Sequence, residues 1–176
     1  ESWELADLAA TSSGGAGGGA ARSIIANGPL QGRSLNDAVA LWKTDLLGAT
    51  LATPSGCFPL LVKFLDAREN LSVQVHPSPA YAREHAGAHL KTESWYILRA
   101  EPGAVIYKGV GPGVSRERFA AHARANSPEI VGDMIALPAI PGECHNLPSG
   151  TVHALGAGVM VAEVQTPSDT TFRLYD

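Results

Sequence analysis

A chain of 176 residues carrying 13 basic and 17 acidic side chains has room for one domain with a full core, not two comfortable ones. Its formal charge of −4 leaves no basic stripe for nucleic acid and no polybasic patch for a membrane surface, and no apolar run reaches the roughly 20 residues of a membrane helix. Two cysteines, Cys57 and Cys144, form no CxxC pair and are too few for a disulfide framework, so the expected setting is reduced and cytoplasmic.

Taken in chain order, SWELADLAA (2–10) opens as a short strand. The run TSSGGAGGGAARS (11–23) has almost no side-chain volume and reads as a flexible loop; it lacks the glycine spacing of a phosphate cradle. SLNDAVALWKTDLLGA (34–49) predicts a helix, capped by Ser34 with Asp37 three residues on and ended by Gly48, with Leu35, Val39, Trp42 and Leu46 as its packing stripe. From Phe58 onward the pattern is mostly β. FPLLVKFLDA and LSVQVH are strands, SPAYAREHAGAH (78–89) a helix capped by Ser78, TESWYILRA and AVIYKGV strands, and SRERFAAHARA (115–125) a further helix. Short strands follow in DMIALP, GECHNLP, TVHALG, VMVAEVQ and TTFRLYD, each bounded by Gly, Pro or Asp. The expected fold is mainly β, an antiparallel jelly-roll barrel with a few short helices.

Six histidines raise the question of metal chemistry. His85 and His89, four apart on a predicted helix, are expected to face solvent, as is His122 on its Arg-rich helix. His145 reads as a hydrogen-bonded wall residue. In LSVQVHP (71–77), period-two alternation puts Val73 and Val75 on one face and Gln74 and His76 on the other. His153 lies in GECHNLPSGTVHALG, where Gly142, Pro148, Gly150 and His153 follow the order G-x5-P-x-G-x2-H. That order resembles the second motif of the cupin superfamily, small jelly-roll barrels, although Ala157 stands where the motif usually has Asn. Gln74, His76, Glu93 and His153 then supply two imidazoles, a carboxylate and an amide oxygen. This mixed set suits zinc, and also manganese or iron(II), with a position left for water or substrate. Singly, each residue also reads as an ordinary polar strand position; the conjunction with the PxGxxH turn favours a metal and an inward-facing Gln74/His76 pair.

QVHP (74–77), KTESWYIL (91–98), PSGTVHALG (148–156) and QTPSDTTFRLYD (165–176) together resemble the type I mannose-6-phosphate isomerase family in its short bacterial form. ESWEL, NGPLQGRSL and FPLLVKFLDA extend the likeness over nearly the whole chain outside the Gly-rich loop. The resemblance implies a zinc ion on His76, Glu93 and His153, with Gln74 as a fourth ligand in some members. It places the family's active-site arginine on Arg173, its KTE lysine on Lys91 and its acidic residue on Glu163. The implied reaction is the interconversion of mannose 6-phosphate and fructose 6-phosphate through an enediol, on a small-molecule partner. Arg173 cannot be a base at neutral pH and is assigned to enediolate or phosphate stabilisation. Glu163, Lys91 or a metal-bound hydroxide remains to move the proton, with Glu163 as the working choice and Lys91 holding phosphate or a hydroxyl. Members usually begin before the GESWE-like start and continue past RLYD into a smaller β-domain, so residues 1–176 are expected to be a single cupin-like isomerase domain without those flanks. Two alternatives carry their own discriminators. A non-haem iron oxygenase would need oxygen, and a non-catalytic sugar-phosphate binder would leave the isomer ratio unchanged. No edge strand singles itself out as an oligomer contact.

Overall fold

The structure, a computed structural model, describes residues 1–11, 18–85 and 88–176. The chain runs through β1 (Ser2–Leu5), β2 (Asp7–Leu8), β3 (Ala21–Arg22), α1 (Leu35–Trp42), α2 (Thr44–Leu47), β4 (Leu61–Ala67) and β5 (Val73–Val75). It continues through α3 (Pro79–Glu84), β6 (Glu93–Ala100), β7 (Val105–Val110), α4 (Arg116–Arg124), α5 (Glu129–Gly132) and β8 (Met134–Pro138). The last strands are β9 (Cys144–Leu147), β10 (His153–Leu155), β11 (Val159–Gln165) and β12 (Phe172–Tyr175). Two antiparallel five-stranded sheets, β1-β4-β11-β6-β9 and β12-β5-β10-β7-β8, face one another, and β2-β3 form a small ribbon. The mainly β reading with a few short helices therefore holds.

The central strands of the first sheet explain where a site can form. Alternation turns Leu61, Lys63, Leu65 and Ala67 of β4 inward, with Glu93, Trp95 and Ile97 of β6, and Val159, Val161, Glu163 and Gln165 of β11. Each inward face changes from apolar to polar along its length. Leu65, Ala67, Ile97, Val159 and Val161 pack at one end with Ile106 and Leu155 from the second sheet. Register places Lys63 opposite Glu163 and Glu163 opposite Trp95, with Gln165 opposite Glu93 in the next row. The barrel is thus closed by hydrocarbon at one end and lined by charge at the other. On the second sheet the outward Val73 and Ala154 pack with Phe119 of α4 and Ile130 of α5, which cover that face.

The helices follow their caps. Ser34 and Asp37 form the expected capping box, and Ser78 accepts the Tyr81 N–H. The segment 34–49 nevertheless divides, because Lys43 takes φ 45° between α1 and α2. Of its expected stripe, Val39 is buried and Trp42 is exposed. The expected helix 78–89 ends at Glu84, with residues 86–87 outside the described part. Of the Gly-rich loop, residues 12–17 lie outside the described part, while Ala21–Arg22 are not loop but pair with Asp7–Leu8. Asp7, with no solvent exposure, accepts the Phe58 N–H at 2.7 Å and the Asn36 amide at 3.1 Å, tying this ribbon to α1 and to the approach to β4. His122 corrects the expectation of a bare surface residue: its Nδ1 is 2.8 Å from buried Asp133, which Arg118 also engages at 2.7 Å, pinning α4 to the start of β8. Among the described residues no helix is long and apolar enough to cross a membrane.

One close approach fixes β10 and the histidine it carries. A Cβ on Gly156 would collide with the Val105 carbonyl, a backbone atom of β7 held in register opposite Pro138 of β8. Gly156→Ala is expected to cost at least about 2 kcal/mol, read from denaturant unfolding followed by circular dichroism; parent-like stability would contradict the packing described.

Candidate metal centre and active site

Three local devices bring the histidines inward. β5 turns Gln74 to the barrel interior, and His76 follows two residues on, so both share the inner face while Val73 and Val75 face out. The Pro148–Gly150 turn, with Gly150 at φ 86°, closes through Thr151 N–H to Pro148 O at 3.0 Å, and Gly150 N–H reaches back to His76 O at 3.0 Å. β10 then starts at His153, directly opposite Gln74 on one side and Lys108 on the other. On the far side of β5, Arg173 of β12 is opposite Gln74. Register alone therefore sets Arg173, Gln74 and His153 in one row across the second sheet. Glu93 enters from the first sheet, facing that row.

The result is a buried cluster. His76, Glu93 and His153 are each no more than 2% exposed, and their ligand atoms lie within 4.8 Å of one another. Glu93 Oε1 is 2.8 Å from His76 Nε2 and 2.7 Å from His153 Nε2. The opposite ring nitrogens face backbone carbonyls: His76 Nδ1 lies 3.1 Å from Thr170 O, and His153 Nδ1 lies 2.8 Å from Thr151 O. A carbonyl only accepts, so each Nδ1 carries a proton and each Nε2 meets the carboxylate, as a donor when the ring is charged and as a lone pair when it is neutral. With both rings neutral, three acceptors converge, an arrangement that calls for a positive species among them. Burial pushes the His76 pKa down against the raising effect of its Glu93 hydrogen bond, and the Lys91 charge adds to the lowering, so a proton on that ring is disfavoured. A divalent cation meets the same need. The donor set and the carbonyl-oriented imidazoles fit one.

Gln74 and Lys91 border the cluster. The Gln74 amide nitrogen is 3.3 Å from His153 Nε2, and half a turn of that amide would offer its oxygen instead. Lys91, 4% exposed, places Nζ 3.1 Å from Glu93 Oε2. Burial alone would raise the pKa of Glu93, but the hydrogen bonds from His153 and His76 and the charge of Lys91 overcome it and hold the carboxyl well below the usual range.

Above the cluster lies an open cleft of about 710 Å³ whose walls include Trp3, Lys63, Gln74, Lys91, Glu163 and Arg173. Glu163 is 2% exposed; Trp95 Nε1 donates to its Oε2 at 2.8 Å, and Lys63 Nζ stands 3.7 Å from its Oε1. Here burial is the largest effect and the nearby Glu93 charge reinforces it, against Lys91 and Lys63, so the carboxyl is pushed up to about 7. Arg173 is half exposed, its Nε only within 4.0 Å of Asp176.

The structure therefore brings together His76, Glu93, His153, Gln74 and Lys91, and sets Glu163 and Arg173 on the same cleft. His85 and His89 are exposed, and His145 sits on β9 with Nε2 3.4 Å from Glu143. Lys63, Trp3 and Trp95 were not anticipated. The signal was present for two of them: in LVKFLDA the alternation sets a lysine on a leucine face, and in ESWYIL it sets Trp95 beside Glu93. Lys63 also stacks over the Trp3 ring at 4.8 Å, closing the cleft wall at β1.

Against known proteins, the model of the phosphomannose isomerase type I catalytic domain matches residues 17–105, about half of the chain. The mannose-6-phosphate isomerase of Streptococcus mutans is 41% identical over 154 residues, 88% of this chain and 46% of that protein. The crystal structure of the mannose 6-phosphate isomerase from Bacillus subtilis superposes with a TM-score of 0.78 at 32% identity, covering 99% of this chain and 50% of that one. A zinc-bound mannose 6-phosphate isomerase shares the fold, with a TM-score of 0.60 at 18% identity over 98% of this chain and 61% of its own. The chain spans about half the length of the curated relatives it matches. A cupin-type barrel with this sequence match, and with a His/Glu/His cluster beneath its cleft, belongs to the type I phosphomannose isomerase family.

Proposed function

We propose that this chain interconverts mannose 6-phosphate and fructose 6-phosphate, using a divalent cation, zinc, held by His76, Glu93 and His153 with Gln74 at their edge. The observation that carries the reading is the buried His76/Glu93/His153 cluster beneath a cleft onto which Lys91, Glu163 and Arg173 also face. When bound, the cation supplies Lewis-acid polarisation and a fixed charge for the sugar oxygens. Manganese and iron(II) suit the same donors.

The remaining work falls to side chains. An aldose becomes a ketose when the proton on carbon 2 leaves and one is delivered to carbon 1, while a hydroxyl proton passes from oxygen 2 to oxygen 1. Glu163, poised near neutrality, can accept the carbon-bound proton and return it to the neighbouring carbon with little free-energy difference between its two states. Negative charge develops on oxygen in the enediolate, and Lys91, fixed by Glu93, stands on the cleft wall to meet it. Arg173, permanently charged and half exposed at the cleft, takes the phosphate through bidentate hydrogen bonds.

A coupled assay on the chain as prepared, after chelation and after zinc is restored should show turnover lost and regained. Glu163→Gln should lower turnover by about a hundredfold or more with zinc still bound. Absence of conversion in the zinc-loaded chain contradicts the reading; binding of sugar phosphate with an unchanged isomer ratio would mark a binder instead. The carboxylate form that takes the proton is scarce below its raised pKa and complete above it, so kcat/KM is expected to rise with pH and level off above about 7. An acid limb that persists unchanged in the residual activity of Glu163→Gln would remove Glu163 from the proton-transfer role.

A further inference from the structure

Among the tryptophans, Trp95 is the one sealed in the barrel, 1% exposed, and both ends of its indole are engaged. Its Nε1–H donates to Glu163 Oε2 at 2.8 Å, and its ring meets the His153 imidazole edge to face, 5.4 Å between centroids at 82°. The two neighbours belong to different sheets, and Trp95 is the rigid body between them. Register makes this placement obligatory: Trp95 on β6 is directly opposite Glu163 on β11, which is opposite Lys63 on β4. The two oxygens of Glu163 thereby differ. Oε2 is committed to a neutral, buried donor, whereas the lysine at 3.7 Å from Oε1 is beyond hydrogen-bond reach.

We propose that Trp95 is a positioning residue for the isomerisation: its indole N–H locks one oxygen of Glu163, which presents the other to the carbon-bound proton, and its ring holds that arm at a fixed offset from His153. This rests on the proton-transfer reading of Glu163. A neutral donor suits the task. It fixes one carboxylate oxygen by a directional hydrogen bond without placing a further charge beside it. A proton carrier free to swing about χ3 would lose the near-attack geometry on which transfer depends. Arrangement on the rigid centre of a sheet, with no loop involved, supplies the needed precision.

The test is a double-mutant cycle on the zinc-loaded chain. Trp95→Phe keeps an aromatic ring in the core and deletes the donor together with part of the indole. It is expected to lower kcat by about tenfold or more, leave KM within about twofold, and keep one zinc per chain. In the Glu163→Gln background the same substitution should have no further effect, because the group it serves is already gone. An equal fold-loss in both backgrounds, or a loss confined to KM, would show a packing role only and overturn the proposal. A second measurement serves if Trp95→Phe does not fold and does not depend on turnover. With nitrogen-labelled indoles, the most exchange-protected indole proton of the parent should shift upfield in Glu163→Gln, because a carboxylate acceptor is lost. An unmoved resonance overturns the clamp whether or not the chain isomerises sugars, while a shifted one with an inactive parent would keep the clamp and sink the isomerase reading alone.

Discussion

Everything in this barrel is arranged around one carboxylate that water scarcely reaches. Glu93, 1% exposed, sits between two imidazole nitrogens at 2.7 and 2.8 Å and a lysine at 3.1 Å. A buried charge of this kind is costly unless paired. Its partners come from three places: the segment before β6 gives Lys91, the residue after β5 gives His76, and β10 gives His153. The cluster is therefore a staple between the two sheets, and it can form only if both sheets hold register to within one residue. A slip of one position would turn every inward polar group out and every outward valine in. The apolar end of the barrel, from Leu65 to Val161, secures that register independently of the charges.

Two glutamates on adjacent strands show how environment divides labour. Both are buried and both face inward, yet hydrogen bonds and Lys91 pull Glu93 down whereas burial and the Glu93 charge push Glu163 up. The anion that anchors the histidines is also what keeps its neighbour reluctant to ionise. In the proposed reaction such a pair supplies a fixed ligand and a proton carrier from the same residue type, without a second fold element. Lys63 tempers the effect from the cleft side, and the Trp3 ring beneath it fixes where that charge stands.

Much of this was legible in the residues. Period-two alternation in LSVQVH and VMVAEVQ turned Gln74, His76 and Glu163 inward, and the PxGxxH turn set His153 at a strand start. What escaped had physical reasons. The carbonyls of Thr151 and Thr170 that orient the imidazoles are backbone atoms, to which side-chain patterns are blind. The Asp133 partner of His122 lies 11 residues away across a turn, so helix composition alone read that histidine as solvated. The break at Lys43 falls among good helix formers, whose propensities favour one continuous helix. Strands of two residues, β2 and β3, carry no periodicity to detect.

The central claim is that three convergent acceptors under the cleft require a cation. Calorimetric titration of zinc into the metal-free chain, beside Glu93→Gln, tests it most directly. One equivalent bound by the parent, with affinity falling by about a hundredfold or more when the carboxylate becomes an amide, is the result expected. Equal affinity in the two proteins, or no zinc bound by the parent, would contradict it.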